Sequence, residues 1–594
     1  MSPEPATVVS AWLDAFASAL VTGDLTSVFN TEDCWLRDLL VLSRDFTTVQ
    51  GITNISAYLH EADRRLHNFR LDTRTNNGGV TLAANPPGLT ALFRFDIAGD
   101  LAATARGCVR LVQQTDGEWR AWTVLLVLQD IVGHEENVGR APVHVPRDGQ
   151  TWDEVWEENS ASIADDLAVL VVGAGHCGLM MAARLRQMGV KALVIDRAKV
   201  GDSWQNRYPS LKLHTPTFMN SFPYHSYPAT WPTYLPRSKM SSFLRSYRDA
   251  LDLFVWESTE LLSDPRPTYD DATKRWTVHV NREGDVRILH PRHIVIAIGL
   301  NMLPRQYDVP GMADFQGVIY HSSEHHGGAA YAGKRVVVVG ACNSGTDIAM
   351  DMMHKGASEV TIVQRSPTLY VSMPAVEAMA FSHLWPEHGG AAIDELDLIN
   401  NSIPYALLMR ILNANRGPHE LDVKTVEALN NAGFKTSDGV LYELLLTRRA
   451  GYVMDQGGVA KSIIEGKIKV KHGVEVEKFE KDAVVFTDGS TLQADVVVAA
   501  YVYAGYTAYG MLMRCRIGYD SMRAAASKLF GPLVDDLTEV WDLDAQGELQ
   551  GIYRPSGHPA LWYAAGDYAN GRFLGRLLAL QLLLAERDAS LTRA

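Results

Sequence analysis

LAVLVVGAGHCGLMMAARLRQMGVKALVIDR, residues 167–197, is the stretch whose reading decides the fold. Ala168 to Val172 is an unbroken apolar run of the kind that forms a parallel strand buried on both faces. Gly173, Gly175 and Gly178 follow as a G-x-G-x-x-G turn. Leu179, Ala182, Ala183 and Leu185 then recur at helical spacing, and a second strand, Ala192 to Ile195, ends on Asp196. Gly173 permits the turn, Gly175 lets a pyrophosphate approach the backbone, and Gly178 packs helix against strand. The helix N-terminus offers N–H groups to the anion, and Asp196 can hold a ribose hydroxyl. An isolated glycine triplet would be an ordinary turn; strand, glycines, helix, strand and acid in register predict a dinucleotide site.

A chain of 594 residues has room for two to four domains. With 47% hydrophobic and 21% charged residues it has the makeup of a soluble globular protein, and it reads as carrying no apolar run long enough to span a membrane. The net charge of −14 argues against a nucleic-acid or anionic-membrane surface. Cys34, Cys108, Cys177, Cys342 and Cys515 are scattered, with neither C-x-x-C nor metal-ligand spacing, which predicts free thiols, no metal site and a reducing compartment. MSPEPATVVSAW lacks a basic leader region, so it is not read as a signal peptide, and a cytoplasmic location is expected.

Outward from this stretch, Val8, Trp12, Phe16 and Leu20 predict an amphipathic opening helix, and DCWLRDLL (33–40) begins a more mixed segment. From Leu92 the period becomes two, and Asp116-Gly117 predicts a hairpin before EWRAWTVLLVLQDI. A small α+β cone is expected over residues 1–135. Asp38, His60 and His67 could line a cavity in it, although packing or dimerisation is the favoured use. Residues 136–165 are polar with little periodicity and predict a linker. The proline- and aromatic-rich run to Leu235 must lie as loop against something.

KRVVVVGACNSGTDIAMDMM, from Lys334, repeats strand, turn and helix, and EVTIVQRS (359–366) is its second strand. Two such units predict two different dinucleotides. Gly340, Asn343, Ser344 and Gly345 form the turn, with Cys342 in place of the middle glycine. The strand ends in Arg365-Ser366 where an NAD site carries an acid; a cation and a hydroxyl suit a 2′-phosphate, hence NADPH. Residues 373–455 interrupt this unit with helical segments that shape either a substrate pocket or a subunit contact, and a homodimer is one outcome. WYAAGDYANGRFLGRLLALQLL (562–583) adds a strand, Gly566-Asp567 and a helix that carries the flavin end of the dinucleotide back to the first unit. The expected boundaries are a first FAD-binding part at 166–330, an NADPH-binding domain at 331–495 and a C-terminal FAD-binding part at 496–594.

These motifs in order, GAGHCG (173–178), GDSW…RY…LKLHTP (201–216), DFQGVIYHSS (314–323) with Phe315, Gly317 and His321, GACNSG (340–345) and VQRS (363–366), resemble the class B flavin-dependent monooxygenases. Trp35-Arg37-Asp38 and WRAWT (119–123) resemble a SnoaL-like domain. The implied fold class is α/β, with two Rossmann-like domains for FAD and NADPH behind a small α+β cone. The resemblance implies a flavin hydroperoxide that oxygenates a small or medium organic substrate with O2, by N- or S-oxygenation or oxidative decarboxylation of a 2-oxo acid; Baeyer–Villiger oxygenation, an uncoupled NADPH oxidase and a flavin-binding scaffold are the alternatives. It also places Trp204 and Arg207 beside the cofactor, makes His214 a catalytic contact to the oxygenated flavin, and gives His321 a structural role. The sequence departs from the family where an aromatic residue is replaced by His325 and where Tyr501 to Tyr506 alters the late motif. A disulfide reductase would need a redox cysteine beside the flavin, and Cys177 has no sequence partner.

Overall fold

The computed structural model describes residues 4–61, 65–75, 79–84, 87–99, 102–139, 149–299, 309–381, 385, 391–414, 416–447, 451–500 and 517–591. The altered segment Tyr501 to Tyr506 and Cys515 lie outside them.

The apolar run of the first unit becomes the strand Val169–Val172, central in a five-stranded parallel sheet ordered Val255–Trp256, Ala192–Ile195, Val169–Val172, His293–Ile296, Leu561–Tyr563. The last strand arrives from the far end of the chain, and the helix after it, Tyr568–Leu591, packs on the turn helix His176–Gln187. A second parallel sheet runs Val318–His321, Val496–Ala499, Arg335–Val339, Glu359–Gln364, Lys469–His472. Its pairing extends the second unit beyond the expected 331–495 at both ends. The strand Val318–His321 joins the second sheet through Val496–Ala499, because the turn at Gly317 brings it against Asp495: a Cβ on Gly317 would lie 2.5 Å from the Asp495 carbonyl oxygen.

The N-terminal unit is a curled sheet ordered Phe46–Gln50, Trp35–Leu39, Trp119–Ile131, Ala103–Gln113, Pro87–Ala98, Arg65–Leu71, with Val80–Ala84 paired to Pro87–Ala98. The predicted hairpin forms with Gly117 at φ 89°. The opening helix Pro5–Thr22 buries Val9, Trp12, Leu13, Phe16 and Ala19 against this sheet. By length and composition alone that helix is apolar enough to cross a membrane, which corrects the sequence reading; its apolar stripe is occupied by the core. The cone is filled: Phe16, Phe69, Phe93 and Phe95 pack ring on ring, with Phe69 and Phe95 stacked at 5.1 Å. Asp38 is buried and accepts hydrogen bonds from the backbone N–H groups of Val41, Leu42 and Ser43 and from the Tyr58 hydroxyl. His60 and His67 are exposed, so these three residues do not converge.

The expected linker also needs correction. Residues 152–165 form a helix, Trp152–Asp165, started by a capping box in which Thr151 accepts from the Glu154 N–H and Glu154 accepts from the Thr151 N–H. Upstream, Glu136 accepts hydrogen bonds from Arg184, from Arg576 Nε at 2.7 Å and from the Tyr224 hydroxyl, pinning the segment to the first unit. Burial alone would raise this carboxyl; the two arginines outweigh it and hold it below the usual range. A depressed carboxylate contributes stability above its unfolded value of about 4.3 and loses it as pH falls through the folded value. Glu136→Gln is therefore expected to cost on the order of 3 kcal/mol at neutral pH, because Arg184 loses its carboxylate partner and Arg576 keeps only its Asp130 arm. That deficit should shrink as pH drops below about 4.3; melting curves of both proteins across this range measure it, and a pH-independent difference would contradict the assignment.

Candidate active site

The first turn is built as its glycines require. Gly173 has φ 112°, and a Cβ there would lie 2.6 Å from the Ala297 carbonyl oxygen. At Gly178 a Cβ would lie 1.9 Å from the Gly173 carbonyl oxygen, so only glycine allows helix and strand to cross this closely. Gly175 differs: its φ of −77° suits any residue, and a Cβ would meet nothing within 4 Å. Open space above a helix N-terminus is what a pyrophosphate occupies. Asp196 sits at the end of its strand and accepts from the N–H groups of Ala174 at 2.7 Å and Ala198 at 2.9 Å, which fixes the carboxylate at the mouth of the turn.

The C-terminal segment closes over this turn. Gly566, at φ 124°, presents its carbonyl to His176 Nε2 at 3.0 Å, and Asp567 accepts from the Asn570 N–H at 2.8 Å, starting the last helix. Tyr568 lies against His176 with ring centroids 4.5 Å apart; its hydroxyl is buried and has no hydrogen-bond partner among the described residues. A buried orphan hydroxyl and an open cradle at Gly175 fit a polar dinucleotide. Trp204 is half-buried on the short helix Asp202–Gln205, whereas Arg207 is exposed, its Nε 3.3 Å from the Ser203 carbonyl oxygen.

The second turn repeats the first. Gly340 has φ 125°, and a Cβ on Gly345 would lie 2.0 Å from the Gly340 carbonyl oxygen, matching the crossing at Gly178. Cys342 occupies the place of Gly175 and precedes the helix Asn343–His354. Asn343 accepts from the Met454 N–H at 2.8 Å, tying the turn to the strand Tyr452–Asp455; Ser344 stays exposed at the helix start. Arg365 and Ser366 lie exposed past the end of Glu359–Gln364, and Arg365 reaches Glu475 at 3.3 Å, a loose pair that leaves donors over.

His214 faces the second unit: its Nε2 lies 3.5 Å from Asp347 Oδ2, and the Tyr208 hydroxyl donates to the same oxygen at 2.8 Å. One turn along that helix, Asp351 accepts from His325 Nε2 at 2.9 Å and from the Gly328 N–H at 2.7 Å, and the Tyr320 hydroxyl bonds His325 Nδ1 at 2.9 Å. Burial raises the Asp351 carboxyl, and the bonds from His325 and the Gly328 N–H, with the charges of His325 and Lys355, together outweigh it and hold the group low. The helix thus carries two carboxylates at i and i+4 that grip segments of the first unit and of the crossover. The departure at His325 is explained: in place of an apolar ring stands one whose two nitrogens are both satisfied. His321 caps the turn after it, accepting from the Ser323 N–H at 3.1 Å. Asp347, Asp351 and Tyr208 are given no role in the sequence reading; the i, i+4 spacing of Asp347 and Asp351 on a predicted helix is the signal that could have shown the two carboxylates, and no such spacing marks Tyr208.

A profile of the pyridine nucleotide-disulphide oxidoreductase family matches residues 170–378. Among the described residues Cys34, Cys108, Cys177 and Cys342 are all free thiols. The indole-3-pyruvate monooxygenase YUCCA1 of Oryza sativa subsp. japonica is 30% identical over 340 residues, spanning 56% of this chain and 76% of its own. The probable indole-3-pyruvate monooxygenase YUCCA3 of Arabidopsis thaliana is 28% identical over 341 residues, 56% of this chain and 72% of its own. A solved flavin-containing monooxygenase from Stenotrophomonas maltophilia aligns with 71% of this chain and 98% of its own at TM-score 0.44 and 17% identity. With a glycine turn built for a dinucleotide in each of two parallel sheets, and with this identity sustained over three quarters of a relative, the chain belongs to the class B flavin-dependent monooxygenases, a family that depends on FAD and NADP(H).

Proposed function

We propose that the chain is an NADPH-dependent monooxygenase of a small or medium organic substrate, with oxidative decarboxylation of a 2-oxo acid as the first reaction to test and N- or S-oxygenation as the second. The observation that carries the reading is the pair of equivalent glycine crossings, at Gly178 and Gly345, in two sheets bridged by Tyr208, His214 and Asp347. The 2-oxo acid is favoured because the relatives quoted above are named for acting on indole-3-pyruvate. The N-terminal unit is read as a SnoaL-like cone used for packing, because its interior is closed by aromatic rings.

FAD, when bound, supplies hydride acceptance and oxygen activation. In this reading Gly175 and the helix start after it hold the pyrophosphate, Asp196 a ribose hydroxyl, and Gly566-Asp567 the flavin end. Gly340 to Gly345 hold the second dinucleotide. His214, held by Asp347, positions the loop between the units. The test is a panel of 2-oxo acids, amines and thioethers scored by NADPH consumption together with product mass. A decarboxylated acid formed in proportion to NADPH supports the reading, whereas NADPH lost entirely to H2O2 across the panel would replace it with an oxidase.

In the same reading Arg365 and Ser366 take the 2′-phosphate. Arg365→Ala is expected to raise KM for NADPH by about 10- to 150-fold, or 1.5 to 3 kcal/mol for a charge-assisted bond, while leaving NADH almost unchanged. Equal effects on both cofactors in steady-state assays would remove Arg365 from the site.

A further inference from the structure

The N-terminal unit makes its most buried polar contact outside itself. Arg37, on Trp35–Leu39, donates through Nε and Nη2 to both oxygens of Glu548 at 2.6 and 2.7 Å, and each side chain is 1% exposed. The Thr48 hydroxyl donates to the same carboxylate at 2.6 Å, and the guanidinium lies 4.7 Å from the Tyr405 ring centroid. A second clamp lies alongside. Arg554 donates to Asp45 at 2.8 and 3.0 Å and to Asp544 at 2.7 Å. Residues 541–554 are therefore held at Glu548, near the middle, and at Arg554, the C-terminal end, by one edge of the N-terminal sheet. The same segment reaches the nucleotide end of the first unit, where the Trp541 ring would lie 3.4 Å from a Cβ on Gly566.

Arg37 has a second arm. Its Nη1 donates to the carbonyl and the side-chain oxygen of Asn401 at 2.9 and 3.1 Å, at the end of the helix Ile393–Asn401. Asn401 Nδ2 donates to the Asp397 carbonyl at 2.9 Å, and the Asp397 carboxylate takes two bonds of 2.7 Å from Arg572 on the last helix, both side chains 3% exposed. Arg572 Nη1 donates to the carbonyls of Met219 and Ser221 at 2.8 and 2.7 Å, in the aromatic loop. Through the backbone and side chain of Asp397 these bonds link the N-terminal sheet to the loop whose Phe222 ring packs 5.8 Å from the Tyr568 ring, beside the Gly566 turn. Ion pairs this deeply buried contribute little net stability compared with well-packed apolar residues, while they fix geometry.

We propose that Arg37 is a positioning residue of the oxygenation site: the N-terminal unit acts through its Glu548 and Asn401 bonds to hold residues 541–554, the helix Ile393–Asn401 and the loop at 217–222 in place, keeping the flavin side closed to water. The proposal rests on the monooxygenase reading for its functional half, and its structural half stands independently of it. In Arg37→Met, amide exchange in 217–222, 393–401 and 541–554 is expected to quicken at least tenfold in both apoprotein and FAD-loaded protein, with Val169–Val172 and Arg335–Val339 unchanged. The share of NADPH lost as H2O2 should rise at least threefold. Asn401→Leu removes the side-chain bonds of the second arm, to Arg37 and to the Asp397 carbonyl, and leaves the backbone bond; it should quicken 217–222 and 393–401 and spare 541–554, which keeps the test open if Arg37→Met does not fold. Faster exchange confined to the N-terminal strands, or spread evenly over both parallel sheets, would overturn the proposal. Faster exchange in the named segments with an unchanged H2O2 share would overturn its functional half. A wild-type protein that binds no FAD would fail the monooxygenase reading alone, since the apoprotein exchange pattern still reports on the clamp.

Discussion

Gly175→Val is expected to give a folded protein that has lost its flavin. The backbone at Gly175 has φ −77°, which valine adopts without strain, and no heavy atom lies within 4 Å of the added Cβ. The apoprotein has no reason to unfold. A pyrophosphate at the helix start must occupy that same space, and a branched side chain there removes both the room and the approach to the N–H groups. FAD affinity should fall by at least about a hundredfold, roughly 2.7 kcal/mol. The purified variant should be colourless while its circular dichroism and melting point match those of wild-type apoprotein. Normal FAD content would move the cofactor elsewhere.

Gly178→Ala is expected to do the opposite and damage the protein before any cofactor is considered. Its Cβ would lie 1.9 Å from the Gly173 carbonyl oxygen and 3.3 Å from the Ala297 side chain, so the helix His176–Gln187 must move away from its strand. The clash is with backbone, and no rotamer relieves it. Overpacking of this kind costs about 3 kcal/mol, enough to lower the melting point of an apoprotein of this size by on the order of 2 to 5 °C. Excess FAD should recover little of the loss. A stable, yellow Gly178→Ala protein would mean that the first strand and helix cross less closely than described.

The features legible in the sequence were those whose cause is local. Gly178 and Gly345 are fixed by the carbonyls of Gly173 and Gly340 five residues before them, and Gly173 and Gly340 by their own positive φ, so the spacing suffices to read the two turns. The Asp116-Gly117 hairpin and the stripe of the opening helix are local in the same sense. Helix Trp152–Asp165 is local too, and its Thr151/Glu154 capping box stands in a polar stretch whose weak periodicity shows no buried face. The network of Arg37, Asp397 and Arg572 is illegible for a different reason: Arg37 shows only as part of the N-terminal motif and the other two as ordinary charged residues, and they become a buried network only when segments hundreds of positions apart meet. The helical insertion left two uses open, and its helix Ile393–Asn401 serves a third, joining the N-terminal sheet to the C-terminal helix through Asn401 and Asp397.

The strand Leu561–Tyr563 has a consequence for how the chain is made. It pairs with His293–Ile296, and the helix behind it covers the helix His176–Gln187. During synthesis at about 5 to 20 residues per second, His293–Ile296 waits on the order of 13 to 53 seconds as an unpaired, largely apolar sheet edge before its neighbour emerges. Nascent chains that stall before Leu561 therefore carry an open edge suited to pairing with one another, and slow translation late in the message trades yield for aggregates even when every residue of both nucleotide turns has been made.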